Sequence, residues 1–397
     1  MSFYKELGVS AKKEAVHAAT KNNDKGLFPN AFCKVNRLTP EIAPGWVRIS
    51  HADGAGTKTA LAYIYWRETG DMSVWHGVVQ DSIVMNLDDI LCVGGVAGHL
   101  SLASSINRNG FRIPDEVVAA LINGENIFLD NMRALGVDIT GQCGETADVP
   151  DLTPTVVIDN TMECLMREED VINNGDIAAT DIIVALQSNG RASYEDAYNG
   201  GIRSNGLTLA RHGVLSAEYR EKYPESFHAG LGNRAYRGSK KLDDLITVET
   251  GEQVTVGRLI LSPTRTYAPI IKALLSDGQG RAGISGMVHN SGGGMTKVLN
   301  YLNGPLVAVK DDLFDVPPLF RLIQSEANVD WREMYQVFNM GAGMEVYVRD
   351  MATAERVIKA AAGFNVAAKI IGRVEKSPGG KPTVQIQTPY GEFEYLR

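Results

Sequence analysis

The segment from Trp46 to Lys58 constrains this chain most. Trp46-Val47-Arg48-Ile49-Ser50 alternates with the period of two that a half-buried strand requires. It runs directly into Asp53-Gly54-Ala55-Gly56-Thr57-Lys58. Apolar residues then recur at Val79, Ile83, Val84, Leu87, Ile90 and Leu91, which predicts a helix over Val78–Gly94. A strand, a glycine turn and a helix in that order point to an α/β (α+β) chain. Further strands are predicted over His99–Ile106, Val137–Thr140, Thr155–Met166, Ile182–Leu186 and Val346–Val348. Helices are predicted over Pro114–Leu135, Pro269–Ser276, Gly294–Leu302 and Ala352–Ala362. Residues 1–35 read as a short helix and a polar, turn-rich stretch, and 190–250 as a helix plus an extended insertion. Polar turn residues at 167–176 predict a boundary, giving an N-terminal domain 1–168 and a C-terminal domain 169–397.

Composition narrows the function classes. Lys+Arg number 39 against 47 Asp+Glu, a formal charge of -8, which lacks the basic footprint of a general nucleic-acid binder. A phosphorylated small substrate stays compatible, because a local site can differ in sign from the whole. Cys33, Cys92, Cys143 and Cys164 form no Cys-x-x-Cys pair. A disulfide framework or zinc site is not expected, and a reduced cytoplasmic setting is. The polar N-terminus has no secretory apolar region, and no apolar run is long enough for a membrane span.

Several segments carry chemistry. At the glycine turn, Gly54 and Gly56 let backbone N–H groups approach a phosphate, and Lys58 adds a positive charge. An ordinary loop would look the same, and the spacing is not that of a Walker A loop. Asp53 at the strand end is a candidate magnesium ligand. Asp81 and Asp88 are seven residues apart on the predicted helix, so they share a face with apolar neighbours, and Asp89 adjoins them. A carboxylate on such a face should be paired or metal-bound. Asn86 reads as a surface residue or a member of a local hydrogen-bond network. Glu145 follows Gly141-Gln142-Cys143-Gly144 and is a third metal or ATP candidate, while Cys143 reads as a buried thiol. His289-Asn290-Ser291 precedes Gly292, Gly293 and Gly294 at a predicted helix start, a pattern suited to an anion or to a flexible helix entry. His99 and His212 read as structural.

The order of these segments, with Ser204-Asn205-Gly206, Pro263-Thr264-Arg265 and Phe338-Asn339-Met340-Gly341-Ala342-Gly343-Met344, closely resembles the aminoimidazole ribonucleotide synthetase (phosphoribosylformylglycinamidine cyclo-ligase) family. Tyr4-Lys5-Glu6-Leu7-Gly8-Val9 resembles the family's start. The chain departs from the family at Arg203, where histidine is usual, at Asp88-Asp89 for Asn-Asp, at Cys143 for glycine, and at Met340 where cysteine is common.

The resemblance implies a two-domain synthetase fold whose N-terminal sheet pairs across a homodimer. It implies ATP-dependent closure of formylglycinamidine ribonucleotide to aminoimidazole ribonucleotide in purine biosynthesis, through an iminophosphate. Asp53, Asp81, Asp89 and Glu145 would hold Mg²⁺. Gly54, Gly56, Thr57, Lys58, Glu145 and Asn205 would contact ATP or its phosphates. Gly292–Gly294 would hold the ribonucleotide phosphate. His289, Lys58 and Asp89 are the expected catalytic residues. Arg203, in place of histidine, would meet an anionic ligand group or stand exposed in an insertion. Other readings are a selenophosphate synthetase, a thiamine-phosphate kinase, a hydrogenase maturation enzyme, or a non-catalytic ATP-binding homologue.

Overall fold

The computed structural model describes residues 3–7, 22, 24–39 and 42–397. Part of the expected N-terminal helix and turn-rich stretch lies outside them. The first sheet contains β1 (Val35–Arg37), β2 (Trp46–Gly54), β3 (His99–Arg108), β4 (Ile139–Gly141), β5 (Glu145–Asp148) and β6 (Val156–Arg167). Its order is β1-β2-β6-β3-β4, with β5 also pairing β3. Strand β6 alternates buried and exposed residues along its length, the pattern of a sheet with one covered face.

Two helices cover that face. The Asp115–Ala134 helix follows Pro114, has Asp115 and Glu116 in its first turn, and ends before Gly136 at φ 81°. Its buried Val117, Ala120, Leu121, Phe128 and Met132 recur at helical spacing. The Val74–Leu91 helix packs on β2, β6 and the Asp115–Ala134 helix. Every residue from Asp81 to Leu91 is buried, so its carboxylates need partners inside the protein.

The second sheet begins with β7 (Ile182–Gln187). A hairpin of β8 (Leu245–Thr247) and β9 (Gln253–Thr255) lies in the intervening polar segment. The sheet continues with β10 (Ile284–His289), β11 (Leu306–Lys310), β12 (Ala342–Val348), β13 (Ala368–Lys376), β14 (Thr383–Thr388) and β15 (Gly391–Leu396). Its order is β10-β12-β7-β13-β11-β14-β15. The Met351–Ala362 helix lies on β7, β12 and β13, and meets the Ala268–Leu275 helix.

The first sheet's last strand ends at Arg167 and the second sheet's first begins at Ile182. The buried Val74–Leu91 helix joins the halves, since it also touches β10 and the Ala268–Leu275 helix. One expectation changes form: the Gly294–Leu302 helix is a 3₁₀ run over Gly294–Asn300. The Lys58–Thr69 helix and strands β10, β11 and β13–β15 were not predicted.

Candidate active site

Strand β2 delivers Asp53 and Gly54 to the glycine turn. A Cβ on Gly54 would fall 2.5 Å from the backbone carbonyl oxygen of Ile158 on the neighbouring β6, so this position requires glycine. Gly56 takes φ 57°, in the left-handed region. Asp53 is exposed, and its Oδ1 accepts the Gly54 N–H at 2.8 Å. Thr57 Oγ1 lies 3.0 Å from Thr208 Oγ1, docking the turn on the Leu207–Val214 helix.

Lys58 turns the other way. It opens the Lys58–Thr69 helix, is 0% exposed, and points its ammonium inward. Its Nζ donates to Asp81 Oδ1 at 2.8 Å and to the Ser262 carbonyl at 2.5 Å. Asp81 Oδ1 also accepts the Thr264 N–H at 2.8 Å and the Thr264 hydroxyl at 2.5 Å. The pairing corrects two expectations: Lys58 does not face a phosphate at the turn, and Asp81 is engaged by a lysine rather than held open for magnesium. A carboxylate and an ammonium buried side by side offset each other's desolvation, whereas either alone would be costly.

The seven-residue spacing does place Asp81 and Asp88 on one face, and both grip the same loop. Asp88 Oδ1 accepts from Thr266 Oγ1 at 2.6 Å and from the Tyr267 N–H at 3.3 Å. Burial pushes the Asp88 carboxyl up to about 7, against the opposing pull of Arg203. These two aspartates fasten the first half of the chain to the Thr264–Tyr267 segment of the second.

Asp89 faces a different way. Its Oδ1 lies 2.6 Å from His289 Nδ1, and its Oδ2 lies 3.3 Å from His51 Nε2. His51 Nδ1 is 3.0 Å from Asn86 Oδ1. Asn86 Nδ2 donates to the carbonyls of Asp53 and Ser82, each at 3.0 Å, which fixes the amide with Oδ1 toward His51. Both ring nitrogens of His51 therefore face acceptors, the arrangement of an imidazolium. Burial opposes that charge, but Asp89 and Asn86 raise the His51 pKa above its ordinary value. Burial would likewise raise Asp89, yet hydrogen bonds from His289 and His51 hold it well below the usual carboxylate range.

His289 contrasts with His51. Burial and then the charge of Arg203 lower its pKa to about 4, so the ring is neutral near pH 7. With Nδ1–H given to Asp89, Nε2 carries the lone pair, and this buried atom has no hydrogen-bond partner. Asn86, read as a surface residue or network member, is buried and a network member. His51 was missed, although it shares the face of β2 that carries Asp53 two residues on. His99 is exposed and stacks on Trp46 with centroids 5.8 Å apart, while His212 is buried; both stand outside this network.

Arg203 is buried at 2% exposure rather than displayed in an insertion. It adopts φ 65°, its Nη2 lies 3.8 Å from Asp88 Oδ2, and its guanidinium sits 5.2 Å from the Tyr267 ring centroid. None of its three guanidinium nitrogens has a hydrogen-bond partner. Asn205 Nδ2 lies 3.6 Å from Met85 Sδ. A Cβ on Gly292 would come within 3.0 Å of Asn205 Oδ1, so the 203–206 and 292–294 loops adjoin. Gly293 and Gly294 have φ 98° and 50°, and a Cβ on Gly294 would strike the Phe338 carbonyl at 2.4 Å.

Glu145 is exposed on β5, and Cys143, expected to be buried, is exposed beside it in the turn between β4 and β5. Register places Asp53 opposite Asn160, Asn160 opposite Ser104, and the adjacent Ser105 opposite Glu145. Asp53 and Glu145 are thus three strand spacings apart, about 14 Å, too far to share one ion within a chain. Among the described residues no group of three or more His, Cys, Asp or Glu side chains could hold a metal ion. Also among them, no helix is long and apolar enough to cross a membrane.

The comparisons agree with this architecture. Residues 181–385 match the family model for the AIR synthase related protein, C-terminal domain, and the chain belongs to that family. Among curated relatives, a phosphoribosylformylglycinamidine cyclo-ligase of Methanocaldococcus jannaschii is 29% identical over 325 residues, covering 82% of this chain and 77% of its own. One from Alkaliphilus metalliredigens is 27% identical over 401 residues, covering 97% of this chain and 98% of its own. Among solved structures, the HypE–HypF complex aligns with a TM-score of 0.56 at 14% identity, covering 97% of this chain and 99% of that chain. T. maritima PurL complexed with FGAR aligns with a TM-score of 0.54 at 12% identity, covering 97% of this chain and 49% of that chain. These structures establish likeness of fold.

Proposed function

We propose that the protein is an ATP-dependent cyclo-ligase that converts formylglycinamidine ribonucleotide to aminoimidazole ribonucleotide in purine biosynthesis. The observation that carries this reading is the near full-length similarity to phosphoribosylformylglycinamidine cyclo-ligases, together with the buried Asp89–His289 pair beside the glycine turn. In this reading ATP phosphorylates the formyl amide oxygen, the amidine nitrogen attacks the same carbon, and phosphate departs. An amide oxygen leaves poorly, and phosphorylation turns it into a good leaving group.

The backbone of Gly54–Gly56 would receive ATP phosphates, with Thr57 and Asn205 at the edges of the same region. Asp53, exposed at the turn, would supply a carboxylate oxygen to Mg²⁺, which takes most of its remaining ligands from phosphate and water. When bound, Mg²⁺ neutralises the charge that builds on the transferring phosphoryl group. Glu145 would contact nucleotide at the opposite edge of the sheet. His289, neutral and oriented by Asp89, would accept a proton at Nε2 from the attacking amidine. The Gly292–Gly294 loop would hold the ribonucleotide phosphate. Two copies would pair through the uncovered face of the first sheet, where Val157 and Leu165 are 41% and 37% exposed.

The experiment that separates this reading from its alternatives supplies Mg–ATP with formylglycinamidine ribonucleotide, selenide or thiamine phosphate in turn. The expected result is ADP release stimulated by the first alone. Stimulation by either of the others, or by none, would reject the cyclo-ligase reading.

A further inference from the structure

Beside the Gly292–Gly294 loop lies a cavity of about 300 Å³ whose wall includes Gly293, Lys297, Arg332, Tyr395 and Arg397. Among the described residues that line it none has an acidic side chain, in a chain whose formal charge is -8. Three cations around one concave surface concentrate a positive potential there, which an entering anion relieves.

Packing and backbone carbonyls hold these cations in place. The Arg332 guanidinium lies 4.7 Å from the Tyr395 ring centroid and donates from Nη2 to the Glu394 carbonyl. The Tyr395 hydroxyl donates to the Arg332 carbonyl at 2.8 Å. Arg397 Nη1 donates to the Leu302 carbonyl at 3.3 Å. Lys297 Nζ lies 5.4 Å from the Phe32 ring centroid. A guanidinium bonded through one nitrogen keeps further N–H groups for a ligand, and a phosphate can accept several at once.

The cavity and the site share a wall. A Cβ on Gly293 would sit 3.6 Å from Lys297 Cδ, while Gly292 adjoins Asn205. Lys297 is also near enough for its charge to act on His289. A ligand with its reacting end at His289 and an anionic end one loop away would place that end here.

We propose that this cavity takes the phosphate of a phosphoribosyl substrate, with Lys297, Arg332 and Arg397 as its cationic contacts. The assignment rests on the substrate class proposed above and adds the residues that select for the phosphate. A substrate lacking that group would leave the three cations uncompensated, so the pocket would discriminate strongly against the free nucleoside.

The test uses ribose 5-phosphate as the probe, titrated by calorimetry into the full chain without ATP. The wild type is expected to bind it, not to bind ribose, and to bind more weakly as salt rises. Lys297→Gln and Arg332→Gln should each weaken binding about tenfold, and the double variant about a hundredfold. Arg332 also braces Tyr395, so Lys297→Gln, with its melting temperature measured, keeps the test independent of folding. No binding by the wild type, or equal affinity in the double variant, overturns the assignment. The two proposals fail separately. Turnover of formylglycinamidine ribonucleotide with an unchanged KM in the double variant would reject the pocket and leave the reaction standing. Phosphate-dependent binding lost in the double variant, in a protein that does not turn over that substrate, would uphold the pocket and reject the reaction.

Discussion

Lys58 and Asp81 close on each other in the interior, with Nζ 2.8 Å from Oδ1 and both side chains wholly enclosed. The lysine beside the glycine turn is thereby an anchor that fixes the turn to the Val74–Leu91 helix and, through the Ser262 carbonyl, to the second half of the chain. Removing one partner leaves a buried charge unpaired. Lys58→Met and Asp81→Leu are each expected to destabilise the protein by about 3–5 kcal/mol, and the double variant by much less than their sum. A denaturant double-mutant cycle with additive effects would show that the pair is not coupled.

The Asp89–His51 contact predicts a spectroscopic outcome. Asp89→Asn removes the anion that raises the His51 pKa, and the burial that lowers it remains. The His51 pKa should then fall from its wild-type value, and turnover should fall at least about tenfold as His289 loses its orienting partner. Histidine ring signals followed by NMR would detect the shift. A His51 titration unchanged by the substitution would contradict the network as drawn.

The legibility of this site in the sequence was uneven for physical reasons. The spacing of Asp81 and Asp88 showed a shared helix face, and both indeed hold the Thr264–Tyr267 segment. Spacing has no information on which cation arrives from elsewhere, so the choice of Lys58 as the partner of Asp81 was hidden. The Lys58–Thr69 helix escaped because Leu61 to Tyr65 are buried in succession, which erases amphipathic periodicity. Strand β13 mixes Lys369, Arg373 and Glu375 into its apolar alternation, which masks a strand in the second sheet. Cys143 was misplaced because thiols are usually buried, whereas this one sits in a turn on an uncovered edge.

Arg203 supplies a third test. Its charge opposes protonation of His289 and favours the ionised form of Asp88. Arg203→Ala should cost about 3 kcal/mol, because it empties the space of a large buried side chain, and should raise the His289 pKa above about 4. Arg203→Lys should recover part of the stability, since much of that side chain returns without the planar fork. Stability and His289 titration both equal to wild type in the alanine variant would show that the buried guanidinium is inert.

Stability against pH tests His212. Burial, followed by the charge of Arg211, lowers its pKa to about 2 from 6.5, and its Nδ1 accepts the Tyr236 N–H at 3.3 Å. The unfolded chain therefore binds a proton at this residue sooner than the folded one. Its contribution is complete above pH 6.5 and is lost as pH falls below that value. Asp88 acts in the opposite sense: its folded pKa is raised to about 7, so protonation adds stability as pH falls. The difference between wild type and His212→Asn isolates the histidine. From pH 7 to pH 5 the wild type should lose about 2 kcal/mol relative to the variant, measured by denaturant unfolding. Parallel stability curves would refute a buried neutral His212.

In the proposed reaction one site phosphorylates an amide oxygen and closes a ring on the same carbon. The most direct measurement incubates the purified protein with Mg–ATP and formylglycinamidine ribonucleotide and quantifies ADP and aminoimidazole ribonucleotide together. The expected result is one aminoimidazole ribonucleotide per ADP, with both products falling at least about a hundredfold in Asp53→Asn while its melting temperature stays that of the wild type. ADP release that is indifferent to formylglycinamidine ribonucleotide, with no aminoimidazole formed, would contradict it.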